Sequence, residues 1–134
     1  MTDSMYSDII LEYYRHPVNF GKLEPCDIHS HDTNPLCGDD LDIFIVLDGN
    51  KIKEIRFSGK GCAISQASAS MLTETVEGKT LDEIKKMMKN DILDMLKIPI
   101  SHTRIKCALL SLKVLKLGVY KHLGEKISDE DRKL

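Results

Sequence analysis

Tryptophan is absent from the chain, and only three phenylalanines and four tyrosines supply aromatic rings. Stacking of bases or sugars on aromatic platforms is therefore a poor basis for function. A dominant charge sign is missing as well: 19 basic against 21 acidic side chains leave a formal charge of −2. That balance lacks the broad positive footprint of a nucleic-acid binder, so nucleic acid is not expected as a partner. No apolar run approaches the ~20 residues that cross a bilayer, which argues against a membrane protein. Met1-Thr2-Asp3-Ser4-Met5-Tyr6 has neither the basic start nor the apolar stretch of a secretory signal, so cytoplasmic residence is expected. What remains is a soluble composition, 42% hydrophobic and 30% charged over 134 residues, enough for one real core. The expectation is a single domain over residues 1–134 with a charged, frayed tail from about residue 125.

Four cysteines are present, but no Cys-x-x-Cys pair. A reducing compartment and an adequate core argue against a disulfide framework, which leaves metal or sulfur chemistry as the better reading. The most specific stretch is Asn34-Pro35-Leu36-Cys37-Gly38-Asp39. Asn-Pro disfavours helix and Gly38 can take backbone angles that other residues avoid, so Cys37 is expected at the tip of a tight turn with Asp39 beside it.

Along the chain, Tyr6, Ile9, Ile10, Tyr13 and Tyr14 form one apolar helical face with Ser4 or Ser7 as cap, ended by Pro17. The polar piece His29-Ser30-His31-Asp32-Thr33 reads as a short edge strand or a loop. Alternation from Asp40 to Asp48 and again from Lys51 to Phe57, joined at Asp48-Gly49-Asn50, predicts an antiparallel hairpin. The second strand must then end where the first began, which returns Gly61-Cys62 toward Cys37 and Asp39. A helix rich in small residues runs from Cys62 toward Gly78. Thr80-Leu81-Asp82-Glu83 is a capping box opening another helix, with Leu81, Ile84, Met87 and Met88 as its buried stripe. A short apolar piece spans Ile92 to Leu96, and a longer helix from about Thr103 carries Cys107 in its first turns and stops at Gly118 or Gly124.

Thiolates and a carboxylate are suitable ligands for tetrahedral zinc, and thiolates are the usual ligands of iron–sulfur clusters. Cys62 and Cys107 both fall at helix starts, where the dipole favours negative charge. Three separated thiols with one harder oxygen donor suggest a site that exchanges its cargo. Each residue alone has a plainer explanation: Cys62 and Cys107 as core, Asp39 as a turn residue, Lys106 as a surface lysine rather than a positive charge beside sulfur. Only their joint placement raises the functional reading. Cys26 lacks any such context and is read as a buried small side chain. His29 and His31 can form a weak metal pair but are read as solvated loop residues, and His102 as a neighbour of the site.

These stretches, together with Gly59-Lys60-Gly61-Cys62-Ala63-Ile64-Ser65 and Arg104-Ile105-Lys106-Cys107-Ala108, resemble the three cysteine motifs of the IscU/NifU N-terminal/SufU scaffold family from about Tyr6 to Tyr120. The resemblance implies an α+β fold, a three-stranded antiparallel sheet packed against helices. It implies that Cys37, Cys62 and Cys107 receive sulfur and hold a nascent [2Fe–2S] cluster, that Asp39 governs its release, and that Zn2+ can take the same ligands. Implied partners are a pyridoxal-phosphate cysteine desulfurase and acceptor apo iron–sulfur proteins, with a homodimer around a cluster as one arrangement. The alternative to the scaffold is a zinc-bound sulfurtransferase like SufU, with Cys107 as the expected acceptor of persulfide sulfur. The chain mixes features: Lys106 stands where IscU-type members carry His, the interval from Cys62 to Cys107 is too short for the SufU insertion, and Ile98-Pro99-Ile100 replaces the Leu-Pro-Pro-Val-Lys segment that engages a specialised Hsp70.

Overall fold

The computed structural model describes residues 8–134, so Ser4, Tyr6 and Ser7 lie outside the described residues. Helix α1 (Asp8–Arg15) precedes strands β1 (Ile28–Asn34), β2 (Asp39–Asp48) and β3 (Lys51–Lys60), which form one antiparallel sheet in that order. Helices α2 (Ala63–Val76), α3 (Leu81–Lys86), α4 (Lys89–Leu96), α5 (Ile105–Leu123) and α6 (Asp129–Arg132) follow. This is the expected α+β arrangement, a three-stranded antiparallel sheet packed against helices.

Strand alternation builds the core. Leu41, Ile43 and Ile45 of β2 and Ile55 and Phe57 of β3 are fully buried beneath α2 and α5, and each such side chain contributes roughly 2 kcal/mol of burial. Between α2 and α5 the contact is made by small residues. Ser68 Oγ donates to the Ala108 carbonyl at 2.7 Å and meets Ser111 Oγ at 3.2 Å, so the polar atoms that close approach buries are paired. Helix α5 also lies tight on β1, where a Cβ on Gly118 would come within 2.8 Å of Ile28 Cγ2. Gly118 thus serves packing inside the helix, and Gly124, at φ 70°, ends it.

Several expectations are corrected. On α1 only Ile10 is buried, while Ile9 and Tyr14 are exposed and Tyr13 turns its hydroxyl to Glu74 at 2.7 Å. The Thr80–Glu83 capping box forms, but α3 stops at Lys86; Met87 and Met88 lie in the junction to α4, and Met88 is exposed. Of the two readings of the polar stretch from His29, the edge strand is the one that forms, in full register with β2.

The charged tail is not frayed. It forms α6, whose Asp131 is buried against the equally buried Lys116 of α5 at 2.9 Å and also accepts from Tyr120 Oη at 2.9 Å. Lys116 makes a further bond to the Lys85 carbonyl at 3.1 Å. A buried cation in the middle of a helix must find an anion, and the tail supplies it. Asp131→Asn is expected to lower unfolding stability by about 3 kcal/mol, because it strands the Lys116 charge. Lys116→Met combined with Asp131→Leu is expected to recover most of that loss, read by urea unfolding of the single and double variants.

Candidate functional site

The site forms at the end of the sheet where β1 turns into β2. Asn34 and Asp39 are register partners, so the connection between them is the four residues Pro35 to Gly38, closed by the Cys37 N–H donating to the Asn34 carbonyl at 3.2 Å. Gly38 takes φ 68°, the left-handed angle that the turn requires. Cys37 is held in this loop, and its neighbour Leu36 is 90% exposed. At the same end of the sheet, β3 finishes opposite the start of β2, with Asp40 paired to Lys60. The antiparallel return thus delivers Cys62 as the N-cap of α2, its Sγ accepting from the Ser65 N–H at 3.5 Å. Cys107 enters from a third direction, in the first turn of α5, and is fully buried.

Asp39 is the centre of this arrangement. Its side chain is buried, 2% exposed, and Oδ1 accepts the Cys62 N–H at 2.9 Å. Oδ2 is buried with no hydrogen-bond partner. Burial pushes the Asp39 carboxyl above the ordinary carboxylate range, and hydrogen bonds from the Cys62 backbone and thiol, the Arg104 charge and the Ser65 hydroxyl pull against that shift. Gly61 makes the fit possible, because a Cβ there would collide with Asp39 Oδ1 and approach its Cγ to 2.9 Å. A buried acceptor left without a donor calls for an electropositive partner.

Ligand atoms of Cys37, Asp39 and Cys107 lie within 4.8 Å of one another, a group able to hold a metal ion. The sulfurs of Cys37 and Cys107, 70 residues apart in sequence, are paired directly, with Cα atoms 6.9 Å apart. No two-disulfide framework exists, since Cys26 and Cys62 are both free; the single sulfur pair lies inside the candidate site. Cys62 is outside the 4.8 Å group, although its backbone and thiol both act on Asp39. Once that pair is reduced, two thiolates and a carboxylate with the Cys62 thiol next to them form a donor set suited to zinc or to iron–sulfur cargo.

Other expected neighbours do not join. Lys106 is exposed and its Nζ donates to the Lys133 carbonyl of the tail. The positive charge that acts on Asp39 comes from Arg104, the N-cap residue of α5. His102 is exposed and lines a groove of about 670 Å³ with Lys106 and Leu134. Two contributors beyond the expected residues are Asn34, whose buried amide donates to Cys107 Sγ at 3.7 Å, and Ser65. Asn34 lies within the motif, but its sequence context signals only a turn; its bond to sulfur depends on where α5 lands.

Gly61→Ala is expected to expel the Asp39 carboxylate from its seat. Zinc binding to the reduced protein should weaken by about tenfold or more, as when groups that orient ligands are lost. Calorimetric titration of the variant beside the parent reads this, and unchanged affinity would show that Asp39 need not occupy its present position.

The chain matches the NifU-like N terminal domain over residues 5–129. It is 34% identical to the zinc-dependent sulfurtransferase SufU of Bacillus subtilis, covering 91% of this chain and 94% of that one. It is 32% identical to the iron–sulfur cluster assembly scaffold protein IscU of Escherichia coli, over 85% and 91% of the two chains. The crystal structure of the SufU protein of Fervidobacterium islandicum superposes with a TM-score of 0.77 at 30% identity, covering 86% of this chain and 96% of that one. A NifU-like protein of Brucella abortus shares the fold, with a TM-score of 0.77 at 21% identity over 92% and 98%. With the family match spanning nearly its whole length and the sheet, helices and thiol–carboxylate group in place, the chain belongs to the IscU/NifU N-terminal/SufU family of iron–sulfur cluster assembly scaffold proteins.

Proposed function

We propose that the chain assembles a [2Fe–2S] cluster from iron and desulfurase-derived sulfur on Cys37, Cys62, Cys107 and Asp39, and passes it to acceptor apoproteins. The observation that carries this reading is the Asp39 carboxylate, buried with Oδ2 unpartnered beside the Cys37 and Cys107 sulfurs, which reduction frees as thiolates. Thiolate holds iron–sulfur cargo more firmly than carboxylate, so the Asp39 bond is the one that opens to an incoming acceptor thiol. Three of the four donors already lie within 4.8 Å of one another. Cys62, free and half-buried at the N-cap of α2, is the fourth. Cys37 is half-buried next to the exposed Leu36, and this loop is the side from which delivery and release would reach it.

A second reading rests on the likeness to the Bacillus subtilis zinc-dependent sulfurtransferase. Here the same four residues would hold Zn2+, which would keep their thiols ionised, and Cys107, brought out of its buried position, would attack the outer sulfur of a desulfurase persulfide. That step forms the Cys107 persulfide and returns the desulfurase cysteine as its thiolate. Anaerobic reconstitution with iron, cysteine and a desulfurase separates the two. Stable visible absorption with two irons per cluster supports the scaffold, whereas stimulated desulfurase turnover without iron uptake supports the sulfurtransferase.

Replacing Cys37, Cys62 or Cys107 by Ala is expected to abolish stable cluster retention, while Cys26→Ala leaves it nearly intact. Iron and sulfide analysis checks this, and normal occupancy in Cys107→Ala would remove that residue from the ligand set. Asp39→Ala is expected to slow transfer to an apo-ferredoxin by roughly tenfold and to lengthen cluster lifetime in air. A variant that loses its cluster faster and transfers it no more slowly would leave Asp39 as a turn residue only.

A further inference from the structure

We propose that the outer face of the sheet carries a second cation site, built from His29, His31, Asp40 and Asp42, for a divalent first-row transition ion. The alternation of β2 places its residues on opposite faces: Asp39 and Leu41 are buried on the helix side, whereas Asp40 and Asp42 lie on the other face, only partly buried. In β1, His29 and His31 share that outer face, and the register sets His31 opposite Asp42. The four side chains form a ladder across the strand pair. His29 Nε2 lies 2.8 Å from Asp42 Oδ1, and His31 Nε2 lies 2.6 Å from Asp40 Oδ1. Ligand atoms of His31, Asp40 and Asp42 are mutually within 4.8 Å, and His29 joins them through Asp42.

Three features favour an ion over two independent surface pairs. The His29 ring is stacked on Phe44 with centroids 4.5 Å apart and planes 16° apart, and Phe44 is 5% exposed, so the imidazole is held in place before any ion arrives. With both imidazoles neutral the four groups carry two negative charges, the complement of a dication. Exposed His–Asp pairs contribute little stability by themselves, so the hairpin does not need this ladder to form. Two imidazoles with two carboxylates suit zinc, nickel, cobalt or ferrous iron over magnesium or calcium, which prefer oxygen alone. The competing cations near these side chains, among the described residues, are Lys60, the register partner of Asp40, Lys121, which lines a groove with His29 and His31, and Arg56, which is engaged with Asn19, Glu54 and its neighbouring carbonyl. No thiol takes part, so this site is separate from the cysteine centre although Asp39 and Asp40 are adjacent in sequence.

Zinc titration of the reduced full chain, followed by calorimetry and by the imidazole nitrogen resonances, tests the proposal. Zinc is expected to shift the Nε2 signals of His29 and His31. One equivalent is expected to be lost, or weakened by about tenfold or more, in both His31→Ala and Asp42→Asn. His31→Gln, which retains a donor to Asp40, should keep the native backbone amide spectrum while losing the same equivalent, which separates ligation from folding. Nε2 signals that stay in place, or a zinc stoichiometry and affinity equal in parent and His31→Ala, would overturn the site. Both outcomes are independent of whether the cysteine centre holds zinc, because its binding persists unchanged in the histidine variants.

Discussion

The carboxylate of Asp39, sunk to 2% exposure with one oxygen unpartnered, is the constraint around which this end of the molecule is arranged. Burying a carboxylate is costly unless charge and hydrogen bonds answer it. Here the compensation is partial. Cys62 lends its backbone N–H, Arg104 adds positive charge from the start of α5, and the carboxyl still sits above its ordinary range. Gly61 has no side chain to claim the same space. A fold that merely needed a turn at Gly38 could have used an exposed aspartate. One held under the helices, with a lone pair facing no donor, is poised for a cation.

That poise depends on three chain segments meeting at one point. The β1–β2 loop brings Cys37, the antiparallel return of β3 brings Cys62, and the first turn of α5 brings Cys107 beside Asn34. The long helix reaches its place by packing Gly118 on β1 and Ser111 against Ser68. It is anchored from the far side by Lys116 and the tail. Cys107 is therefore positioned by helix packing, whereas Cys37, Cys62 and Asp39 are positioned by the sheet and its connections. Cys62, whose Sγ caps α2 rather than joining the other ligands, is the donor with the most room to change partners.

Much of this was legible in the chain because it rests on local signals. The Asn-Pro turn with Gly38, the alternation of the hairpin and the Thr80–Glu83 box each act within a few residues, and the convergence of Cys62 on Asp39 follows from antiparallel geometry alone. What escaped depends on distant partners. A highly charged segment such as residues 128–134 reads as solvated until Lys116 is seen buried in α5, an unusual place for a lysine on a helix otherwise read as apolar. Lys106 was expected beside sulfur because it adjoins Cys107. On a helix, however, adjacent residues point about 100° apart, and Lys106 faces the tail. His29 and His31 read as loop residues because a polar edge strand has no apolar alternation to announce it. Their neighbours Asp40 and Asp42 become partners only through the register.

The same register separates two kinds of donor across the thickness of a single strand. Because side chains alternate, the consecutive residues Asp39 and Asp40 serve opposite faces of β2. The inner one meets cysteine sulfurs in a desolvated setting; the outer one meets imidazole at the edge of solvent. An ion on the outer face would be held by ligands that water reaches, and so would exchange more readily than one held by the buried Asp39 group. A one-residue slip between β1 and β2 would turn His29 and His31 inward, against the helices, and expose Ile28 and Asn34. The buried residues at the two ends of β1 resist that slip, and the chemistry of both faces is therefore tied to the packing of one edge strand.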